Sequence, residues 1–492
     1  TGSDTRSLVG EVTRATAAGI VLSGVIDTSG DQIEIQATLE DPVNGQVVRA
    51  FDPLVSDPSD PSPAITTLAE RSYIAVSDHL HPTLTFGAGD KLPSLATYLE
   101  FRRRARLADR DNALQLFSFL AEAPDLSRLR LMLVLSFLDG DSFRNATKLL
   151  EDGGFDKVDL IREQETVIFG LQQWIKGRFD QAFLVFRVEL ESSPANLLLR
   201  HATIRCALYA NRPAAAIETY GGLVPDDIAP PIISVFMAID TAVAHHLLDQ
   251  HAEALRLLDQ VHSELPRSGL TDHSLTQQIA IFGAMGEIEE IERLLTAGSG
   301  EEFLPIETAW TQLTAAHELR AHGFDREATA MAERVLPFFE RVDPTSEDYL
   351  WSMGWRLETL LILGRDHEAA DLANGLEVET AGWRAALLFA GIASARTGDA
   401  ATAREKSDRL AEFTDDGLTD LKTAPGELTV GRAMIATQLG ETDEAIELLR
   451  RAFAFGAKQI DEDSPLPEPR HNIFFEPLWD DPEFQEIMKP KG

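Results

Sequence analysis

The chain has 492 residues, 44% hydrophobic and 25% charged, which excludes wholesale disorder and exceeds what one compact core accommodates. Its 80 acidic and 44 basic side chains leave a formal net charge of −36. Such a surface excludes phosphate-backbone and anionic-lipid partners, and where charge selects a partner it selects a cationic one.

Residues 4–18 can form a short helix with Leu8, Val12 and Ala15 on one face. Ile20 to Ile26 reads as a buried strand, and Thr28 to Asp31 as a turn. From Gln32 to Leu39 apolar and polar residues alternate, with Ile33, Ile35, Ala37 and Leu39 on one side, the period of a half-buried strand. Asn44-Gly45 is a favoured hairpin pair, and Gln46 to Phe51 is the next strand. Asp52 to Pro63 is rich in Pro, Asp and Ser and predicts a loop; Ile65 to Leu80 returns to helical spacing. The run from Gly19 through Gly24, Gly30-Asp31 and Gln36–Asp41 to Asn44-Gly45 resembles the second half of the small α/β module of the FlgO and TolB N-terminal families. That resemblance implies a small α/β domain over residues 1–90, without the family's opening strand and first helix. The opening Thr1-Gly2-Ser3 reads as a cut end.

From about residue 95 to 470 one pattern recurs: a turn residue, a few polar residues, then an alanine opening a second apolar helix. The copies run from Gly177 to Ala182, Asn211 to Ala216, His251 to Ala254, Gly323 to Ala328, Gly364 to Ala369, Gly398 to Ala403 and Gly440 to Ala445, with weaker ones at Met285-Gly286-Glu287 and Asp139 to Ala146. The alanines recur at 34 residues (182 to 216, 369 to 403), and at 38 and 42 with insertions. That is the length of a tetratricopeptide repeat. Glycine ends the first helix in a left-handed cap, and alanine lets the second helix cross closely. No such pair buries its face alone, so the pairs stack. The expected fold is mainly α: a tetratricopeptide-type α-solenoid, a right-handed superhelix of helix pairs, behind a small N-terminal α/β domain. Residues 160–223 also resemble the tetratricopeptide regions attached to bacterial receptor Ser/Thr kinases, adenylate cyclases and transcription regulators. The closing phrase Phe475 to Phe484 is similar to the segment that caps the last repeat there, which implies a capping role for residues 471–492.

Chemistry-bearing motifs are scarce. There is no P-loop, dinucleotide fingerprint or nucleophile elbow. His245, His246, Asp249 and His251 are close in sequence, but a helix-surface pair without a third ligand is more often solvated polarity than a metal site. Glu287, Glu289, Glu290 and Glu292 point around a helix rather than into a pocket. Cys206, the one cysteine, lies in an apolar helical stretch and predicts a buried, inert thiol. The expectation is a chain without catalytic residues, cofactor or metal.

Trp174, Trp310, Trp351, Trp355 and Trp383 fall in first helices of repeats, which in the resembled family line the concave groove. They are candidate contacts for a peptide, against the alternative of core packing between helices. Arg178, Arg200 and Arg205 are candidates for a positive patch in the same groove. The expected function is a non-catalytic protein- or peptide-binding scaffold or sensory region. The resemblance places it in a bacterial signalling protein such as a receptor kinase, outside the cytoplasm. A permanent assembly scaffold of the cell envelope is the alternative, and an enzyme with an unrecognised site a third. The longest apolar stretch, Ile228–Ile239, holds two prolines and is shorter than the roughly 20 residues of a spanning helix.

Overall fold

A computed structural model describes residues 20–29, 31–41, 46–80, 94–99, 150, 162–192, 197–221, 231–264, 270–298, 305–346, 349–379, 384–414, 426–459 and 469–491. The expected helix 4–18, the Asn44-Gly45 turn, the weak repeat copy at 139–146 and Trp383 lie outside them. Two compact units divide the chain: residues 1–136 with 148–168, and residues 137–147 with 169–492.

In the first unit, strands β1 (Val21–Ser29), β2 (Gln32–Asp41), β3 (Gln46–Ala50) and β4 (Leu54–Ser56) form an antiparallel sheet. β1 pairs with β2 along its length, Ile26 opposite Ile35 and Leu22 opposite Leu39. β3 and β4 follow each other along the other edge of β2. The segment 52–63 is thus not all loop, because its residues 54–56 continue the edge that β3 begins. The alternation of β2 is realised: Ile33, Ile35, Ala37 and Leu39 are buried. Ala37 and Leu39 pack with Phe51 and with Ala75 of helix α1 (Ser62–Leu80). β1 departs from expectation. Among the described residues it is an edge strand, and Leu22, Val25 and Ile26 are exposed rather than buried.

The α-solenoid consists, among the described residues, of eight consecutive helix pairs. They are α2 (Arg162–Ile175) with α3 (Phe179–Ser192), α4 (Leu197–Tyr209) with α5 (Pro213–Tyr220), and α6 (Pro231–Leu247) with α7 (His251–Glu264). Next come α8 (Leu270–Met285) with α9 (Ile288–Gly298), α10 (Pro305–Ala321) with α11 (Asp325–Phe339), and α12 (Tyr349–Ile362) with α13 (Asp366–Glu379). The last are α14 (Arg384–Arg396) with α15 (Ala400–Thr414), and α16 (Glu427–Gln438) with α17 (Thr442–Phe455).

One local device makes every pair. A residue one or two positions after the end of each first helix has positive φ: Gly177, Asn211 (φ 56), Asp249 (φ 57), Gly286, Gly323, Gly364, Gly398 and Gly440. The amide after it bonds back to the carbonyl five residues earlier, as in Arg178 to Gln173 at 2.9 Å and Glu441 to Ala436 at 2.9 Å. This is the Schellman closure, which satisfies carbonyls that a helix end leaves open. Five residues after each turn residue stands the contact point of the second helix. It is alanine in seven pairs (Ala182, Ala216, Ala254, Ala328, Ala369, Ala403, Ala445) and Ile291 in the fourth, all 0–1% exposed. A methyl at a helix crossing allows close approach, and the larger apolar side chains fill the space around it.

Candidate partner-binding face

First helices pack on first helices of the next pair: α4 on α6, α6 on α8, α8 on α10, α10 on α12, α12 on α14, and α14 on α16. Polar ties join them. Asp240 of α6 lies 3.2 Å from His201 and 3.0 Å from Arg205 of α4, all three buried. The Thr276 and Thr311 hydroxyls meet at 3.1 Å between α8 and α10. His317 Nε2 lies 3.3 Å from Glu358 between α10 and α12, and Arg396 Nε donates to Gln438 at 2.8 Å between α14 and α16. Buried polar groups are costly unless paired, so these ties fix the register of the first helices.

That register shows an aromatic column. Thirteen residues before their turn residues stand Phe236, Trp310 and Trp351; the same count reaches His273 in the pair between. Trp310 and Trp351 each lie seven residues, two turns, before His317 and Glu358. They therefore sit at one level of neighbouring helices, about 10 Å from that contact at a rise of about 1.5 Å per residue. Trp351 is 52% exposed; Trp310 and Phe236 are half-buried.

The other candidates separate from this column. Trp174 is fully buried and packs edge-on to Phe186 and Tyr209, a core residue rather than a groove contact. Trp355 is half-buried against Phe339. The arginines do not gather into one patch. Arg178 is exposed at the α2–α3 turn; Arg200 donates to the Thr219 carbonyl at 2.6 Å; Arg205 is buried with its charge answered by Asp240. Cys206 is buried, as expected.

The chain's end reaches beyond the last pair, the only contact expected of the capping segment 471–492. Residues 469–491 form two 3-10 turns, Pro469–His471 and Ile473–Leu478, and helix α18 (Pro482–Met488). Asn472 and Asp481 cap the second turn and the helix by accepting backbone amides. Phe475, Leu478, Phe484 and Met488 pack on α16 and α17, as a cap would. The segment also follows the row of turns between first and second helices. Gln438 donates to the Phe474 carbonyl, Arg396 lies over the Phe474 ring, and Arg320 faces Glu476 at 3.6 Å. Arg470 donates to the Leu247 carbonyl, and the His322 and His471 rings are 4.8 Å apart. At the far end Asn211 donates to the Met488 and Lys489 carbonyls, the Lys491 amide donates to the Asn211 carbonyl, and Lys491 Nζ meets Asp180 at 3.1 Å. The end of the last pair meets the first two pairs directly too: the Gln459 amide donates to the Tyr209 carbonyl at 3.1 Å, and the Gly177 and Gly456 backbones touch.

No family model matches the chain. No curated protein matches it. Among solved structures it is similar to a Rap protein complexed with competence and sporulation factor, at 13% identity over 68% of this chain and 98% of that one, with a TM-score of 0.34. It is also similar to the Naa15/Naa10 assembly bound to HypK-THB, at 13% identity over 73% of this chain and 63% of that one, with a TM-score of 0.26. Among the described residues no helix is long and apolar enough to cross a membrane.

Proposed function

We propose that the helical array is a non-catalytic scaffold that binds a protein or peptide segment through the aromatic column of its first helices. One observation carries this reading. Three of four successive first helices present an aromatic residue, Phe236, Trp310 or Trp351, at the same position, and Trp351 remains half exposed where core packing would enclose it. The net charge of −36 favours a cationic segment that also carries apolar anchors. The resemblance to receptor-kinase and cyclase appendages supports a place in a bacterial signalling protein, outside the cytoplasm, with residues 1–90 as a module of the FlgO and TolB type.

Selection of a displayed peptide library on the full chain tests the reading. The expected binders are basic with an aromatic or aliphatic anchor, and they weaken as salt rises. W351A weakens them at least tenfold while leaving the thermal midpoint within about 2 °C, because an exposed side chain contributes little to stability. Selected peptides that bind W351A as well as the parent overturn the assignment.

The sheet of the first unit favours a second reading, a permanent scaffold. Leu22, Val25, Ile26, Val47 and Val55 are exposed on it, more apolar surface than a solvated small sheet ordinarily shows. A stable homo-oligomer or co-purifying subunit in native mass spectrometry supports it; a bare monomer excludes it.

A further inference from the structure

Where the C-terminal segment meets the rim of the array, four histidines gather. His246 closes α6, His251 opens α7, His322 follows α10, and His471 belongs to the segment itself. His246 Nδ1 is 3.3 Å from His251 Nδ1, with ring centroids 5.2 Å apart. The His322 and His471 rings are 4.8 Å apart, and His322 Nδ1 donates to the Glu318 carbonyl at 2.9 Å. Arg470 stands beside them, holding the Leu247 carbonyl that ends α6.

Among the described residues, other charged groups also stand at this seat. His245 of α6 is turned outward to Gln250. The turn carries Asp249, and α10 contributes Glu318 and Arg320, of which Arg320 is engaged by Asp325 and Glu476. A cleft of about 680 Å³ opens alongside, lined by Ala321, Arg470, His471, Trp479, Glu486 and Lys489 among others, so water reaches the edge of the cluster. Two repeats, the third and fifth pairs, and the C-terminal segment thus meet through imidazoles packed against one another and against a guanidinium.

We propose that residues 469–491 are an acid-released clasp: protonation of the histidines at its seat drives the segment off the rim and frees the turns it covers. A neutral imidazole pair tolerates contact, and each added proton places a cation beside another cation and beside Arg470. The carboxylates of Asp249 and Glu318 offset only part of this. Burial holds the His246 ring down to about 3, and the neighbouring His251, His322, His471 and Arg470 add to it. Burial likewise holds His322 below the ordinary range, with His471 and His251 adding to it, while the Glu318 carbonyl and Asp249 oppose the shift. A group whose value is depressed in the closed form favours the open form as pH falls below its free value near 6.5.

Hydrogen exchange on the full chain tests the clasp. Protection factors, corrected for the intrinsic pH dependence of exchange, are compared at pH 7.5 and 5.5. The expected result is a loss of at least tenfold in peptides covering 473–488, with α11 (Asp325–Phe339) unchanged within twofold. H246N and H471Q each reduce the loss to threefold or less. H471Q, on the half-exposed residue of the segment, carries the comparison if H246N fails to fold. Unchanged protection of 473–488 in the parent chain overturns the proposal, as does the same loss in H471Q as in the parent.

Discussion

Asn211 and Asp249 hold a backbone conformation that six glycines hold at equivalent turns, and they hold it for different reasons. A side chain at φ near +57° costs about 1 kcal/mol that glycine avoids. Asn211 recovers that cost: it is buried, and its amide donates to the Met488 and Lys489 carbonyls. Asp249 is exposed, so little offsets its strain. D249G is therefore expected to raise stability by up to about 1 kcal/mol, and N211G to lower it by about 1–2 kcal/mol, since two carbonyls lose their donor. Urea midpoints of the two variants, read against the parent, check the opposite signs.

At the scale of the helix pair, the contact points five residues after each turn set how close two helices come. A403L is expected to cost about 1–3 kcal/mol by overpacking, because Ala403 is fully enclosed. I291A is expected to cost about 2–5 kcal/mol by opening a cavity in the one pair that fills the crossing with a large side chain. Denaturant titration followed by circular dichroism measures both. This layer was the most legible in the sequence, because alanine and glycine at fixed spacing report a purely local geometry. The fourth pair was the faintest copy, since Ile291 replaces the alanine that marks the others. The third was placed from His251, and its strained turn residue, Asp249, emerges only by counting back from Ala254. The aromatic column was hidden for a related reason. Successive turn residues are 34 to 42 apart, so Trp310 and Trp351 align only when counted from Gly323 and Gly364. Trp174 shows the limit of composition: its place in a first helix was plain, but its enclosure by Phe186 and Tyr209 depends on neighbours the sequence does not order.

At the scale of the array, residues some three hundred apart in sequence touch, such as Asp180 and Lys491, and no local pattern announces them. The phrase 475–484 was read as a cap on the last pair; its continuation to the first pairs is a property of the complete turn. Two glycines separate closure from local strain. Both Gly177 (φ +66) and Gly323 (φ +82) require a left-handed backbone, but a Cβ on Gly323 meets nothing within 4 Å, whereas one on Gly177 would lie 2.3 Å from the Gly456 Cα. G323A is expected to cost about 1 kcal/mol, the conformational term alone. G177A is expected to cost more and to split thermal unfolding of the array into separate steps, a difference that calorimetry of the two variants resolves.

An ordinary solenoid is one-dimensional: each repeat answers only to its neighbours, the ends fray first, and copies can be gained or lost with little consequence. The contact of Gly456 with Gly177 removes that freedom. An inserted or deleted pair would carry one partner past the other, so the number of repeats is fixed by geometry. Evolution can vary this array by substitution within a pair or by lengthening a loop, but not by the duplication through which open repeat proteins grow.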